Sequence, residues 1–277
     1  MKPIPVVLGT PPERNLPEYN VMMKFESGEA DALVANLPGP HQEPWLNARD
    51  MWEPASPAAV EMTLHDPAMA SAVFGRVIDV AAGACWATAR LSQLDAVQEV
   101  VALDMSKAFL TSVGDRIINM LKGDRNKIRF AVSSFNSIPF EDGYFDCGYF
   151  IATLHHCESP IRTLKEICRV IRPGGTLFIV EELTAITRMR GARDEAIRLS
   201  RLNKFTELAY TRAEMRYWVR HSGFDHVTFH AIDTLCGNKL KRIIRRGMRI
   251  LDIENVFLPT LYILQAKKAA VLEGNGI

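Results

Sequence analysis

The sequence lacks the features that would staple it, anchor it or give it a field of one sign. Its five cysteines, Cys85, Cys147, Cys157, Cys168 and Cys236, are odd in number, far apart and without a C-x-x-C pair. That pattern argues against a disulfide or zinc framework and for free thiols in a reducing compartment. Nowhere do about 18 apolar residues follow one another, the length a membrane span needs. The opening MKPIPVVLGTPPERN has no apolar stretch of the kind a secretory signal carries, so a soluble, cytoplasmic chain is expected. Net charge is also nearly absent, with 33 Lys plus Arg against 32 Asp plus Glu, which gives no general attraction to nucleic acid and no stable membrane association. His221, His226 and His230 do not combine with acids at a ligating spacing, so no metal is expected.

What is present is a core and a change of composition. With 277 residues and 48% hydrophobic content, the chain can bury a full core. Residues 1–75 hold eleven of the fifteen prolines and ten acids against four bases. Proline fixes φ and removes a donor, so this segment cannot be continuous helix or central strand. Its apolar residues, among them Met22, Phe25, Trp45, Trp52 and Met62, predict an N-terminal cap that docks on the following domain.

From residue 76 onward, short β-rich runs alternate with helical periods, which predicts an α/β fold: a mostly parallel sheet with crossover helices on both faces. Seven runs qualify as strands: 76–80, 99–104, 128–132, 145–151, 175–182, 225–232 and 259–268. Leu164, Ile167, Cys168 and Ile171 share one helical face, and Met215, Trp218 and Val219 another. The second of these helices starts with Thr211 and Glu214 at capping-box spacing and ends at Gly223. Residues 184–210 are long enough for one or two lid helices. In 238–252, Lys239, Lys241, Arg242, Arg245, Arg246 and Arg249 interleave with apolar residues at helical spacing, which reads as a basic amphipathic helix with a solvated outer face.

Two features point to a ligand site. The first strand runs into VIDVAAGACWAT, residues 77–88, a turn of small residues that lets backbone N–H groups approach a ligand closely. The second strand ends in Asp104, 21 residues beyond Gly83, where a Rossmann-type site places a carboxylate for ribose hydroxyls. A nicotinamide dehydrogenase would prefer G-x-G-x-x-G, and Ala81, Ala84 and Trp86 break that spacing.

Together with the stretches SSFNSIPFEDGYFDCGYFIATLHH (133–156) and LKEICRVIRPGGTLFIVEE (164–182), these residues resemble the class I S-adenosylmethionine (SAM) dependent methyltransferases. The likeness is to the small-molecule group that includes the ubiquinone and menaquinone C-methyltransferases, and it runs from about residue 72 to residue 268. It implies a Rossmann-like seven-stranded sheet, SAM as cofactor with S-adenosylhomocysteine (SAH) as product, and a small-molecule acceptor; a homodimer is compatible with it. Asp79, Ala81, Ala82 and Gly83 are similar to the D-x-A/G-x-G loop that cradles the methionine end, and Thr88 to the family's Ser or Thr in the next helix. The resemblance assigns Asp104 and Met105 to ribose and adenine, Ser134 and Phe135 to the adenine edge, and Ile151 and Ala152 to the transferring methyl. His155 and His156, at the exit of the fourth strand, are candidate bases. Tyr19, Trp45, Trp52, Phe205 and Tyr210 are acceptor-pocket candidates.

Two positions depart from the family pattern. Cys85 stands where the loop usually has its last glycine, and Ser134 where it has an aspartate. If the loop still cradles the cofactor, Cys85 is expected to take a negative φ and turn its side chain into the helix. A noncatalytic relative that retained the fold is the alternative that these departures raise.

Overall fold

Parallel strands joined by helices must bury both faces of their sheet, so successive residues of each strand serve opposite cores. The computed structural model describes residues 3–12, 55–184, 189–203, 208–232, 243–244, 247–248, 250 and 260–270. In chain order these begin with β1 (Val6–Leu8), α1 (Ala55–His65), α2 (Pro67–Ala70), β2 (Gly75–Val80), α3 (Trp86–Ser92) and β3 (Val97–Asp104). A one-turn α4 (Lys107–Phe109), a π-helical stretch (Leu110–Gly114) and α5 (Asp115–Met120) lead to β4 (Ile128–Val132) and β5 (Phe145–Ile151). Then follow a 3-10 turn (Leu154–His156), α6 (Pro160–Val170), β6 (Ile171–Leu183), α7 (Met189–Asn203), α8 (Arg212–His221), β7 (Phe224–Ala231) and β8 (Thr260–Lys268).

The sheet order is β1-β4-β3-β2-β5-β6-β8-β7. Pairing is parallel from β1 to β6, and β8 runs antiparallel to both β6 and β7. The strand count differs from expectation: there are eight, because Val6–Leu8 pairs with Phe130–Val132. Pro3 and Pro5 confine this stretch to a sheet edge, where a missing donor costs least, and three residues are too short a run to read as a strand. Ile78, Val80, Val101 and Leu103 share one core with Leu164 and Ile167 of α6 and Met215 and Val219 of α8. Val77, Val100 and Tyr149 share the other with Ala59 and Val60 of α1 and Leu91 of α3.

Local chemistry fixes several ends. Thr211 and Glu214 form the reciprocal capping box at the start of α8. Lys268, at the end of β8, donates to the carbonyls of Cys168 and Ile171, each at 2.8 Å, and so places a cation at the C-terminus of α6. Within the basic segment, only Ile243, Ile244, Gly247, Met248 and Ile250 are described, and the three isoleucines are exposed. No helix among the described residues is long and apolar enough to cross a membrane.

The part of the N-terminal segment that is described is docked. Thr63 of α1 donates to the Val60 carbonyl at 2.7 Å and lies 2.8 Å from the Tyr149 hydroxyl in the centre of β5, so Tyr149 is the donor of that second bond. Both side chains are buried. Tyr149→Phe should therefore cost about 1 kcal/mol, the usual net worth of a buried neutral hydrogen bond. Urea unfolding checks this: an unchanged midpoint would mean that the bond does not hold α1 on the sheet.

Candidate active site

In the strand order, β2 and β5 are adjacent although their crossovers leave in opposite directions. The crevice outside the carboxyl ends of two such strands is where open α/β sheets bind ligands. The β2 exit carries the turn Ala81–Cys85, the β5 exit carries Ile151 to His156, and Asp104 closes β3 beside them.

Asp79 sets the start of α3. The N-cap position, Cys85, makes no side-chain cap bond, and the carboxylate one turn away in space takes its place. Asp79 Oδ2 accepts from the Thr88 backbone N at 3.0 Å and from Thr88 Oγ1 at 2.6 Å. Two donors and the positive end of the helix favour the charged form. Burial dominates all the same and, with the repulsion of Asp104, raises the Asp79 carboxyl to about 7.

Asp104 holds the turn from the other side. Its Oδ2 accepts from Gly83 N and its Oδ1 from Ser106 N, both at 3.0 Å. Ala81, Gly83 and Cys85 all have positive φ, of 54°, 50° and 59°. Ala81 and Gly83 are half-buried, whereas Ala82, Ala84 and Cys85 are buried.

The Cys85 backbone corrects the expectation of a negative φ. The turn keeps the left-handed conformation that glycine would adopt there, and the cysteine bears its cost. The side-chain direction is as expected: Cys85 is fully buried among Ala82, Ala89, Leu110 and Ile118, 3.5 Å from the Gly83 carbonyl. Burial pushes its thiol up, so it stays neutral. Gly114 provides the room, because a Cβ there would lie 2.7 Å from Cys85 Sγ. That relation between two residues 29 apart has no signal in the sequence.

At the β5 exit, Glu181 from the end of β6 is buried and divides its oxygens. Oε2 accepts from Leu154 N at 3.1 Å, and Oε1 lies 2.6 Å from His155 Nδ1. The rings of His155 and His156 meet edge-on with centroids 4.0 Å apart. Sequence reasoning missed Glu181; its only signal was an acid at the end of an otherwise apolar strand.

Comparison with known proteins fits this geometry. Residues 78–179 match the family model described as a methyltransferase domain. Over that stretch, a little over a third of the chain, it is similar to the class I SAM-dependent methyltransferases. It is 25% identical to a ubiquinone/menaquinone biosynthesis C-methyltransferase of Pseudomonas paraeruginosa, over 56% of this chain and 67% of that protein. With the protein of the same name from Yersinia pestis it shares 27% identity, over 53% of this chain and 58% of the relative. The chain thus spans about six-tenths of the length of that second relative. A putative methyltransferase from Bacillus halodurans superposes with a TM-score of 0.56 and 16% identity, over 77% of this chain and all of the other; this likeness shows the fold alone.

The methyltransferase assignments fare unequally in the structure. Asp79, Ala81, Gly83, Thr88, Asp104, Met105, Ile151 and Ala152 gather at or just beneath the carboxyl edge, with Met105 and Ile151 half-buried and Ala152 at φ 46°. Ser134 is there too, but its N–H donates to the Thr10 carbonyl at 2.8 Å, and its hydroxyl accepts from Asn136 N at 3.1 Å. Two expectations need correction. Phe135 is 2% exposed and packs on Phe150, so its side chain belongs to the core and is not open to an adenine. Tyr210 is also 2% exposed, donates to the Leu154 carbonyl at 2.5 Å and meets Trp218 edge-on; it supports the histidine turn from beneath. Aromatic character marks core and pocket residues alike, so sequence could not separate them. Tyr19, Trp45, Trp52 and Phe205 lie outside the described residues.

Two tests follow from this geometry. Gly114→Ala should destabilise the fold by about 1–3 kcal/mol through overpacking, and adding Cys85→Ala should recover most of that loss. A double-mutant cycle in urea reads the coupling; additive effects would show that Sγ and Gly114 are not in contact. For Asp79, the folded-state value of about 7 lies above the ordinary carboxyl value of 3.8. Its contribution is thus fully present at low pH and is lost as pH rises through about 7. The stability difference between wild type and Asp79→Asn should shift against wild type between about pH 4 and about pH 7, from the ordinary carboxyl value to the folded-state one, and level off above it. A pH-independent difference would mean that Asp79 is ionised throughout.

Proposed function

We propose that this chain transfers the methyl group of SAM to a small-molecule acceptor. The observation that carries the reading is the convergence, at the sheet's switch point, of two carboxylates on one small-residue turn. Asp104 is placed for the ribose hydroxyls, with Met105 beside the adenine and the Ser134 hydroxyl at its edge. The Ala81–Gly83 backbone and Asp79 suit the charged amino-acid end. Ile151 and Ala152 border the methyl, and His155 and His156 stand next to it.

SAM supplies an electrophilic methyl on a sulfonium that leaves readily, so the protein's work is alignment, exclusion of water and removal of a proton where the acceptor carries one. Alignment falls to the rigid strand ends. Exclusion of water falls to covering segments: in this reading residues 1–75 form a cap, 76–277 the methyltransferase domain, and 184–210 a lid whose helix is α7. Acceptor selection belongs to those covers, since the strand ends are given over to the cofactor.

Calorimetry with SAM and SAH tests the proposal, and binding of both is expected. A folded sample that binds neither would overturn it. Asp104→Ala should weaken SAM by about 1.5–3 kcal/mol, the worth of hydrogen bonds to a charged group, or roughly ten- to 150-fold in Kd. An unchanged Kd would remove Asp104 from the ribose site.

A further inference from the structure

Residues 238–252 belong to the connection between β7 and β8, and neither the sheet nor the cofactor site calls for them. Antiparallel neighbours can be joined by a two-residue hairpin, yet here residues 232–259 intervene. Because β7 runs parallel to β6, the connection leaves and rejoins the sheet at its carboxyl edge, the edge that bears Asp104 and Ile151. Leu240, Ile243, Ile244, Met248 and Leu251 recur at helical spacing, and by the same spacing Lys239, Lys241, Arg242, Arg245, Arg246 and Arg249 fall on the other side. The described residues of this run, Ile243, Ile244, Gly247, Met248 and Ile250, are helical.

A surface helix ordinarily turns its apolar stripe to the core. Here two isoleucines of the stripe look outward, Ile243 at 60% and Ile244 at 52% exposure, and Ile250 at its border is 80% exposed. Grouped aliphatics in water mark a contact surface. The charges say what covers it. Residues 238–252 hold six Lys and Arg and one acid, whereas the rest of the chain holds 27 bases against 31 acids. Lys241 and Arg245, Arg242 and Arg246, and Arg245 and Arg249 stand four apart, and like charges at that spacing destabilise a helix unless anions neutralise them. A second copy of the chain would cover the isoleucines but set cations against cations. A nucleic acid would neutralise the cations but leave the isoleucines in water. A bilayer with anionic headgroups meets both demands, since the aliphatic face enters the acyl boundary while the cations lie at the phosphates.

We propose that residues 238–252 form a peripheral docking helix that lies on an anionic lipid surface. The contact is reversible and is not a span, because a single short apolar face reaches only the boundary between headgroups and acyl chains. A net charge near zero gives the whole molecule no field toward membranes, so the attraction is confined to this segment. With the connection rooted at the carboxyl edge, the docked helix tethers that edge of the sheet, not the amino edge, to the bilayer. The surface stands independently of the methyltransferase reading.

Co-sedimentation of the full chain with unilamellar vesicles is the test. Phosphatidylcholine vesicles with about 30% phosphatidylserine should carry the protein down at low salt, and pure phosphatidylcholine should not. Raising the salt to about 0.5 M should release it. Ile243→Gln with Ile244→Gln keeps every charge and should lower partitioning about tenfold or more. Arg245→Gln with Arg246→Gln keeps the stripe and should lower it about thirtyfold. No sedimentation with the phosphatidylserine vesicles would overturn the proposal. So would sedimentation that the isoleucine pair leaves unchanged, since charge alone would then be acting. Sedimentation velocity without lipid and a gel shift with single-stranded RNA address the other occupants. In the absence of vesicle binding, a dimer lost in the isoleucine pair would give the face to a second copy, and a shifted RNA would give it to nucleic acid; either result overturns the proposal. Should one variant lose its urea transition, wild type across the two lipids and two salts decides together with the other variant.

Discussion

The buried Asp79 carboxylate is the constraint from which the rest of the site is laid out. Helix α3 begins without a side-chain cap of its own, and its third N–H would be left unsatisfied in the core if the strand before it did not end in an acceptor. Because that acceptor sits on β2, the strand and the helix are fixed at one distance and angle, and the five residues between them must close a turn of set length. Positive φ at three of those five is the consequence. With Asp104 drawing Gly83 N from the neighbouring strand, the turn is held at both sides with its backbone toward the crevice.

The neighbouring loops are held by the same device, a buried or half-buried ionisable side chain that satisfies backbone groups. Glu181 does so for the histidine turn. In the long loop after β4, Glu166 accepts from Ile138 N at 2.7 Å, while Arg169 donates to the carbonyls of Ile138 and Phe140 at 2.8 Å. Burial works to raise the Glu166 carboxyl, but Arg169 and the Ile138 N–H outweigh it and hold it below the ordinary value. Each loop is irregular and would otherwise carry unpaired donors and acceptors. Fixing them with side chains from α6 and β6 makes the edge rigid before any ligand arrives, which is where alignment-driven chemistry gains.

The sheet's central strands were legible in the sequence. Residues 128–132 and 145–151 are strands with the expected limits, and the helical faces around Leu164 and Met215 are buried. Runs buried on both faces are continuous and apolar, and flanking glycines and caps mark their ends. The small-residue turn and Asp104 stood out in the sequence for a related reason, since close backbone packing favours small residues, and the structure joins the two through Gly83 N and Asp104 Oδ2. The edge strand Val6–Leu8 was not legible, because three residues between prolines carry no period. Nor was the pocket: Phe135 and Tyr210 read as ligand-facing and are core.

By itself, then, the sequence determined the succession of strands from residue 76 onward, the parallel core of the sheet, the capping of α8 and the pairing of an acid with a small-residue turn. These are properties of local spacing, and hydrophobic period, caps and turn chemistry act over a few residues. Only the tertiary structure decided that Cys85 keeps a glycine conformation because Gly114 yields to its sulfur, and that Ser134 is engaged by Thr10. Only it, too, brought Glu181 to His155 across 26 residues. Each of these is a contact between segments distant in the chain, set by which strands become neighbours, and no local pattern encodes which side chain will stand across from which.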